Sequence, residues 1–160
     1  MTTHFKGPVN STNGFVGSVT GNVTGNITGY VTGGVAGNPD SSQSTISGAA
    51  GAANVCTVSV QIKDAAGNNV TKVTPFTVYA SSAADGLTLA SAASTGFSVA
   101  SGGMSLNNGA AITTSIRAVS SATGSCTLSL TDTGKQTSYL VLVLPNGVKI
   151  SSQLSAGSYG

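Results

Sequence analysis

Charge is what this chain lacks most. Asp, Glu, Lys and Arg make up only 6% of its 160 residues, where an ordinary soluble domain carries roughly a quarter. It has no tryptophan, no glutamate and a single histidine, and its four acidic residues are all aspartates. Catalysis needs titratable groups brought together. His4 stands in a turn-rich tail, and Asp40, Asp64, Asp85 and Asp132 each sit beside turn residues, where aspartate ordinarily accepts from backbone N–H groups. The expectation is therefore no enzyme: no catalytic residue, no bound cofactor and no metal. Two cysteines and one histidine cannot supply a typical zinc set. Asp64-Ala-Ala-Gly67-Asn68 looks superficially like a calcium loop but reads better as a hairpin turn. The glycines show no Gly-x-Gly-x-x-Gly between a strand and a helix, so no phosphate cradle is expected.

Other absences narrow the partners. Lys6, Lys63, Lys72, Arg117, Lys135 and Lys149 are scattered singly, and the net charge is +2. Nucleic-acid binding would need those cations clustered on one face. No run of about 18 apolar residues is present, so no membrane-spanning segment is expected. No basic stretch followed by an apolar core succeeds Met1, so synthesis in a cytosol without a secretory signal is expected. The Asn-x-Ser/Thr triplets at Asn10, Asn22, Asn26 and Asn69 are then by-products of composition rather than glycosylation sites. Cys56 and Cys126 are too few for a disulfide framework. Both stand in the frame Cys-Thr-(Val/Leu)-Ser-(Val/Leu) and read as buried thiols acting as small hydrophobes. A bond across a sandwich in an oxidising medium is the alternative.

What is abundant is glycine, serine, threonine, alanine, valine and asparagine. Disorder goes with high charge and few β-branched residues; this chain has the opposite profile, that of a β-rich structural protein. Residues 17–37 read GSVT-GNVT-GNIT-GYVT-GGVA-G, an unbroken tetrapeptide repeat. A period of four does not match the helical 3.6 but is the strand period of two, taken twice. In an extended chain, Val19, Val23, Ile27, Val31 and Val35 share one face with the glycines, while hydroxyls and amides fill the other. Such a row needs a partner. The candidate assembly interface is these five residues with Phe5, Phe15 and Tyr30 as aromatic anchors; the alternative is an ordinary strand inside the fold.

The rest of the chain divides around the repeat. Residues 1–38 are an extended arm, 39–54 a small-residue linker with little to build a core from, and 55–160 a β-domain. From residue 55, Cys56, Val58, Val60 and Ile62 alternate with polar residues, a half-buried strand. A second strand is predicted over 70–79, with Pro75 arguing for an edge position or a bulge. Shorter strands are predicted at 87–90, 96–100, 104–106, 112–118, 126–131, 139–144 and 148–154. The 139–144 segment is apolar on both faces and so central, and Asn146-Gly147 is the strongest hairpin signal. The fold class is all-β: a repeat arm followed by an immunoglobulin-like β-sandwich, or a small barrel, of about seven to eight strands.

Two passages carry a resemblance. HFKGPVNSTNGFVGSVTGNVTGN, residues 4–26, resembles the N-termini of small virion proteins of tailed bacteriophages. VSVQIKDAAGNNVTKVTPFTVYAS (58–81), with LSLTDTG (128–134) and YLVLVLPNGVKISSQLSAGSYG (139–160), is similar to a β-domain common in phage structural genes. Residues 83–124 carry no such signature. The resemblance implies a head decoration, head-fibre or cement protein. Its partner would be the major capsid protein or another virion protein, and it would act as a homotrimer on the capsid surface after synthesis in the host bacterial cytoplasm. A tail-fibre component binding a host receptor or glycan is the alternative function. A bacterial surface adhesin module is a third reading, disfavoured by the lack of a secretion signal.

Overall fold

The alternation of apolar and polar side chains is realised in nine antiparallel strands. The structure is a computed structural model that describes residues 37–107 and 112–160. The repeat, with Phe5, Phe15, Val19, Val23, Ile27, Tyr30, Val31 and Val35, lies outside the described residues, as does His4. The strands are β1 (Asp40–Ala50), β2 (Val55–Lys63), β3 (Pro75–Ser81), β4 (Gly96–Ser101), β5 (Gly103–Ser105), β6 (Ser115–Ser120), β7 (Ser125–Thr131), β8 (Ser138–Leu144) and β9 (Gly147–Leu154). A 3-10 turn at Ala156–Ser158 follows.

They form a four-stranded sheet in the order β1-β2-β7-β4 and a five-stranded sheet in the order β5-β6-β3-β8-β9. With strands lettered as in an immunoglobulin constant domain, β1, β2, β7 and β4 take the places of A, B, E and D. Strands β3, β8 and β9 take those of C, F and G. The departure is that β4 precedes the two strands, β5 and β6, that extend the second sheet beyond β3. Each sheet turns its apolar set inward: Cys56, Val58, Val60, Ile62, Leu128 and Leu130 from one, Phe76, Val78, Ile116, Leu140 and Leu142 from the other.

The segment expected to be a linker is a strand. Residues 40–50 pair with β2 from Asp40↔Lys63 to Ala50↔Cys56. Only Ile46 contributes a large apolar side chain to the core. Smallness is required here: a Cβ on Gly48 would stand 2.5 Å from Leu154 Cδ2 and 2.7 Å from Cys56 Sγ. The strand is held by its backbone ladder, by Ser41 N–H donating to Asn146 Oδ1 at 3.1 Å, by Lys149 Nζ–H donating to Ser42 O at 3.1 Å, and by the Ser44 hydroxyl. At the irregularity between Asp40 and Thr45, Lys63 N–H donates to Ser44 Oγ at 3.0 Å and Ser44 Oγ–H donates to Asp40 O at 2.6 Å.

Two further expectations are corrected, the expected hairpin is found with its turn one residue earlier, and of the two readings of the cysteines the buried free thiols hold. Pro75 lies neither on an edge nor in a bulge but is the first residue of β3, which lies between β6 and β8; there its missing N–H is not needed inside the ladder. Residues 87–90 form no strand, only an isolated bridge between Ser81 and Leu89, because they belong to a loop folded over a sheet face. The β8–β9 hairpin turns on Pro145 and Asn146, with Leu144 opposite Gly147, whose φ of 144° suits glycine. Cys56 and Cys126 cannot bond across the sandwich, because β2 and β7 are neighbours in one sheet. Cys56 lies opposite Leu130 and Cys126 opposite Val60, an offset of roughly 13 Å along the strands at 3.3 Å per residue, beyond disulfide reach.

Since β1 completes the sandwich, a chain beginning at residue 55 should unfold at a clearly lower urea midpoint than one beginning at residue 37. Equal midpoints would return residues 39–54 to the status of a linker. Leu128→Ala, at a fully buried core position, should cost about 2–5 kcal/mol in the same assay.

Candidate interaction surface

Strand periodicity decides what the five-stranded sheet shows to the outside. With Phe76, Val78, Leu140 and Leu142 turned inward, the outer face takes Thr77 and Tyr79 from β3 and Tyr139, Val141 and Val143 from β8. Strand β6 adds Arg117 and Val119 opposite Thr77 and Pro75. Strand β9 adds Val148 and Ile150 opposite Val143 and Val141. Strand β8 is therefore apolar on both faces, as expected, and both faces are covered at its middle: Leu140, Val141 and Leu142 have no exposed surface.

The outer cover over Val141 is the loop between β3 and β4. Tyr79 Oη–H donates to Gly86 O at 2.8 Å. Gly86 has φ +77°, and a Cβ there would stand 3.1 Å from Ile150 and 3.2 Å from Val141, so the loop backbone itself presses on the sheet. Ser81 Oγ–H donates within the loop, to Thr88 O at 2.7 Å and Ala83 O at 2.9 Å. Beyond this anchorage, Leu87 (85% exposed) and Leu89 (62%) project outward. In the same loop, exposed Asp85 accepts from Leu87 N–H at 2.9 Å through Oδ1.

Among the described residues nothing covers the rest of the face. Pro75, Thr77, Leu106, Arg117, Val143 and Pro145 line a groove of about 230 Å³. Its floor is a row across three strands, since Arg117 and Val143 both lie opposite Thr77. Met104 (61% exposed) and Val148 (52%) stand at its two sides on β5 and β9. The lining contains one charge, the Arg117 guanidinium, and no carboxylate.

The chain's carboxylates are engaged elsewhere, with backbone donors. Asp64 closes the turn after β2, accepting from Ala66 and Asn68 N–H at 3.0 Å and from Gly37 N–H at 2.9 Å. That last bond ties Gly37 to the turn, and beside it Lys72 Nζ–H donates to Asn38 Oδ1 at 3.0 Å. The Gly37 N–H bond is the main cause that lowers the Asp64 pKa, with Asn68 and Ala66 adding to it against burial. Asp132 accepts from Ser94, Gly134 and Gln136 N–H. Burial alone would raise its pKa, but these donors together outweigh it and the pKa is lowered. Asp40, bonded by the Ser42 hydroxyl and N–H, is lowered as well. Burial pushes Cys56 and Cys126 up to about 11 and Tyr159 up to about 12. Among the described residues no three His, Cys, Asp or Glu side chains gather where a metal could bind.

No protein-family model, curated protein or solved structure matches this chain. The surface must be interpreted from its own chemistry. Sequence reasoning placed the candidate interface on the arm and missed this face. Its signal was present in the double-sided apolar run of β8 and in the two exposed leucines flanking Thr88.

Two outcomes follow from the buried groups. Asp132 has a lowered pKa, so its contribution is present above the unfolded value near 3.9 and is lost as pH falls through the folded value. The melting temperature of the native chain should therefore decline below about pH 4, and Asp132→Asn should flatten that decline while costing about 1–3 kcal/mol at neutral pH. The thiols, protonated at pH 8 and buried, should resist Ellman's reagent in the folded chain and both react in urea. Rapid modification without denaturant would contradict their placement.

Proposed function

We propose that this chain is a non-enzymatic structural protein of a tailed-phage virion, attached to the assembled capsid as a head decoration, head-fibre or cement protein. One observation carries the reading: among the described residues the aspartates accept from backbone N–H groups and both thiols lie in the core, while apolar side chains stand exposed on the outer face of the five-stranded sheet. Arg117 is the one charge in a groove otherwise lined by apolar and hydroxyl side chains. The resemblance of residues 4–26 and of the β-domain to phage virion proteins points to the same class.

In this reading the repeat is the anchor. Val19, Val23, Ile27, Val31 and Val35 supply apolar knobs, and the glycines between them let a partner's backbone come close. Asp64 and Lys72 fix the root of that anchor on the sandwich. A protein that binds the assembled shell and not its dissociated subunits stabilises the shell by mass action.

Removing residues 1–36 leaves Gly37 and its bond to Asp64 in place. The truncated chain should no longer cosediment with assembled capsids of the phage that encodes it, and those capsids should lose heat resistance relative to capsids carrying the full chain. Undiminished cosedimentation would refute the arm as anchor. Failure of the full chain to cosediment would refute the capsid as partner.

A further inference from the structure

The outer face of the five-stranded sheet carries two features that fit one another but do not meet within one chain. One is a knob: Leu87 and Leu89, 85% and 62% exposed, with exposed Asp85 bonded to the Leu87 N–H in the same loop. The other is the groove of about 230 Å³ lined by Pro75, Thr77, Leu106, Arg117, Val143 and Pro145. The knob offers apolar side chains beside a carboxylate; the groove offers apolar walls beside a guanidinium. We infer that this face is an interface between two copies of the chain, with the 83–89 loop of each seated in the groove of the other.

Three arguments select a second copy as the occupant. First, the charges match. Asp85 uses Oδ1 for Leu87 N–H at 2.9 Å, which leaves Oδ2 to accept from an arginine across the interface. Second, the other carboxylates of the chain are poorly placed to meet Arg117. Asp64 and Asp132 are buried at 4% and 3% exposure with several backbone donors each, and Asp40 belongs to β1 of the other sheet, opposite Lys63. The repeat has no acidic residue, so it could cover the apolar walls but not answer the guanidinium. Third, knob and groove lie on the same face, the knob anchored over Val141 and Ile150 and the groove centred on Thr77 and Val143. A twofold axis lying in the plane of that face, between knob and groove, brings each knob to the other copy's groove at once, so the contact is self-complementary and closes. It also covers Met104 and Val148, exposed at the sides of the groove.

This pairing is separate from the arm and from the homotrimer that the resemblance implies, and it needs no capsid. It is tested on the full chain alone. Sedimentation equilibrium should show a reversible monomer–dimer association. Asp85→Arg places arginine against Arg117 of the other copy, and Arg117→Asp places aspartate against Asp85. Each variant alone should associate at least about tenfold more weakly, because like charges then meet in a partly dry contact. An equimolar mixture of the two should recover the affinity of the native chain, since every knob again faces a groove of opposite charge. Recovery on mixing also shows that both variants fold. Leu87→Ser with Leu89→Ser should weaken association at unchanged net charge. The inference is overturned if the native chain stays monomeric at millimolar concentration. It is equally overturned if it associates but the single variants match it, which would assign association to the arm, or if mixing restores nothing. Loss of capsid binding with dimerisation intact would strike the proposed function and leave this interface standing.

Discussion

Every N–H and C=O taken into the interior of this molecule must find a partner, and a chain built of small residues has few bulky groups with which to hide an irregular ladder. The solution is repeated use of short side-chain oxygens as substitutes for backbone carbonyls. Ser44 stands in at the irregularity of β1, Ser151 Oγ accepts from Leu140 N–H at 2.9 Å where β8 and β9 slip register, and Ser120 Oγ accepts from Thr74 N–H at 3.1 Å before β3. Asp64 and Asp132 do the same for two turns. Among the described residues no buried side-chain nitrogen or oxygen is left without a hydrogen-bond partner. The same fact bears on function, because a hydroxyl or carboxylate that completes a ladder is not free to bind or activate a substrate.

Small residues also set how closely the layers approach. Gly48 lets β1 lie against Leu154 and Cys56, and Gly86 lets a loop lie on Val141 and Ile150. In each case the contact surface is backbone on one side and an aliphatic side chain on the other. The second contact has a consequence for the exterior. It covers half of an apolar sheet face and leaves the other half as a groove, with the loop's own leucines raised beside it. An antiparallel sheet ordinarily faces water with polar side chains. Here the outward residues of β8 and β9 include Val141, Val143, Val148 and Ile150, which is the pattern of a surface meant to be covered.

The two candidate contact regions thus differ in kind. The repeat spaces valine and isoleucine four residues apart along the sequence. The sheet face is a shaped surface with one positive charge, suited to one partner in one orientation. The first is proposed to bind the capsid, and the second another copy of the chain. Low charge across the chain fits such a role, since charged residues are depleted at the buried core of protein interfaces.

Much of the sandwich was legible in the sequence because a strand with one buried face must alternate. Cys56–Ile62, Ile116–Ala118 and Cys126–Leu130 displayed that alternation and became β2, β6 and β7. The aspartates beside turn residues were likewise readable as caps, since that bond forms within a few residues of chain. Strand β1 was not legible. Its serines, glycine and alanines have no apolar alternation, and they are strand only because β2 offers an unpaired edge and Leu154 leaves no room for larger side chains. The exclusion of a disulfide was also a tertiary decision, because it depends on Cys56 and Cys126 falling on adjacent strands of one sheet at different heights. Composition and periodicity by themselves determined that the chain is all-β and poor in charge. Which residues form the exposed groove, and that Asp85 and Arg117 share one face, was decided by the order in which the strands pair, since local sequence sets which side of a strand a residue faces but not its neighbours across the sheet.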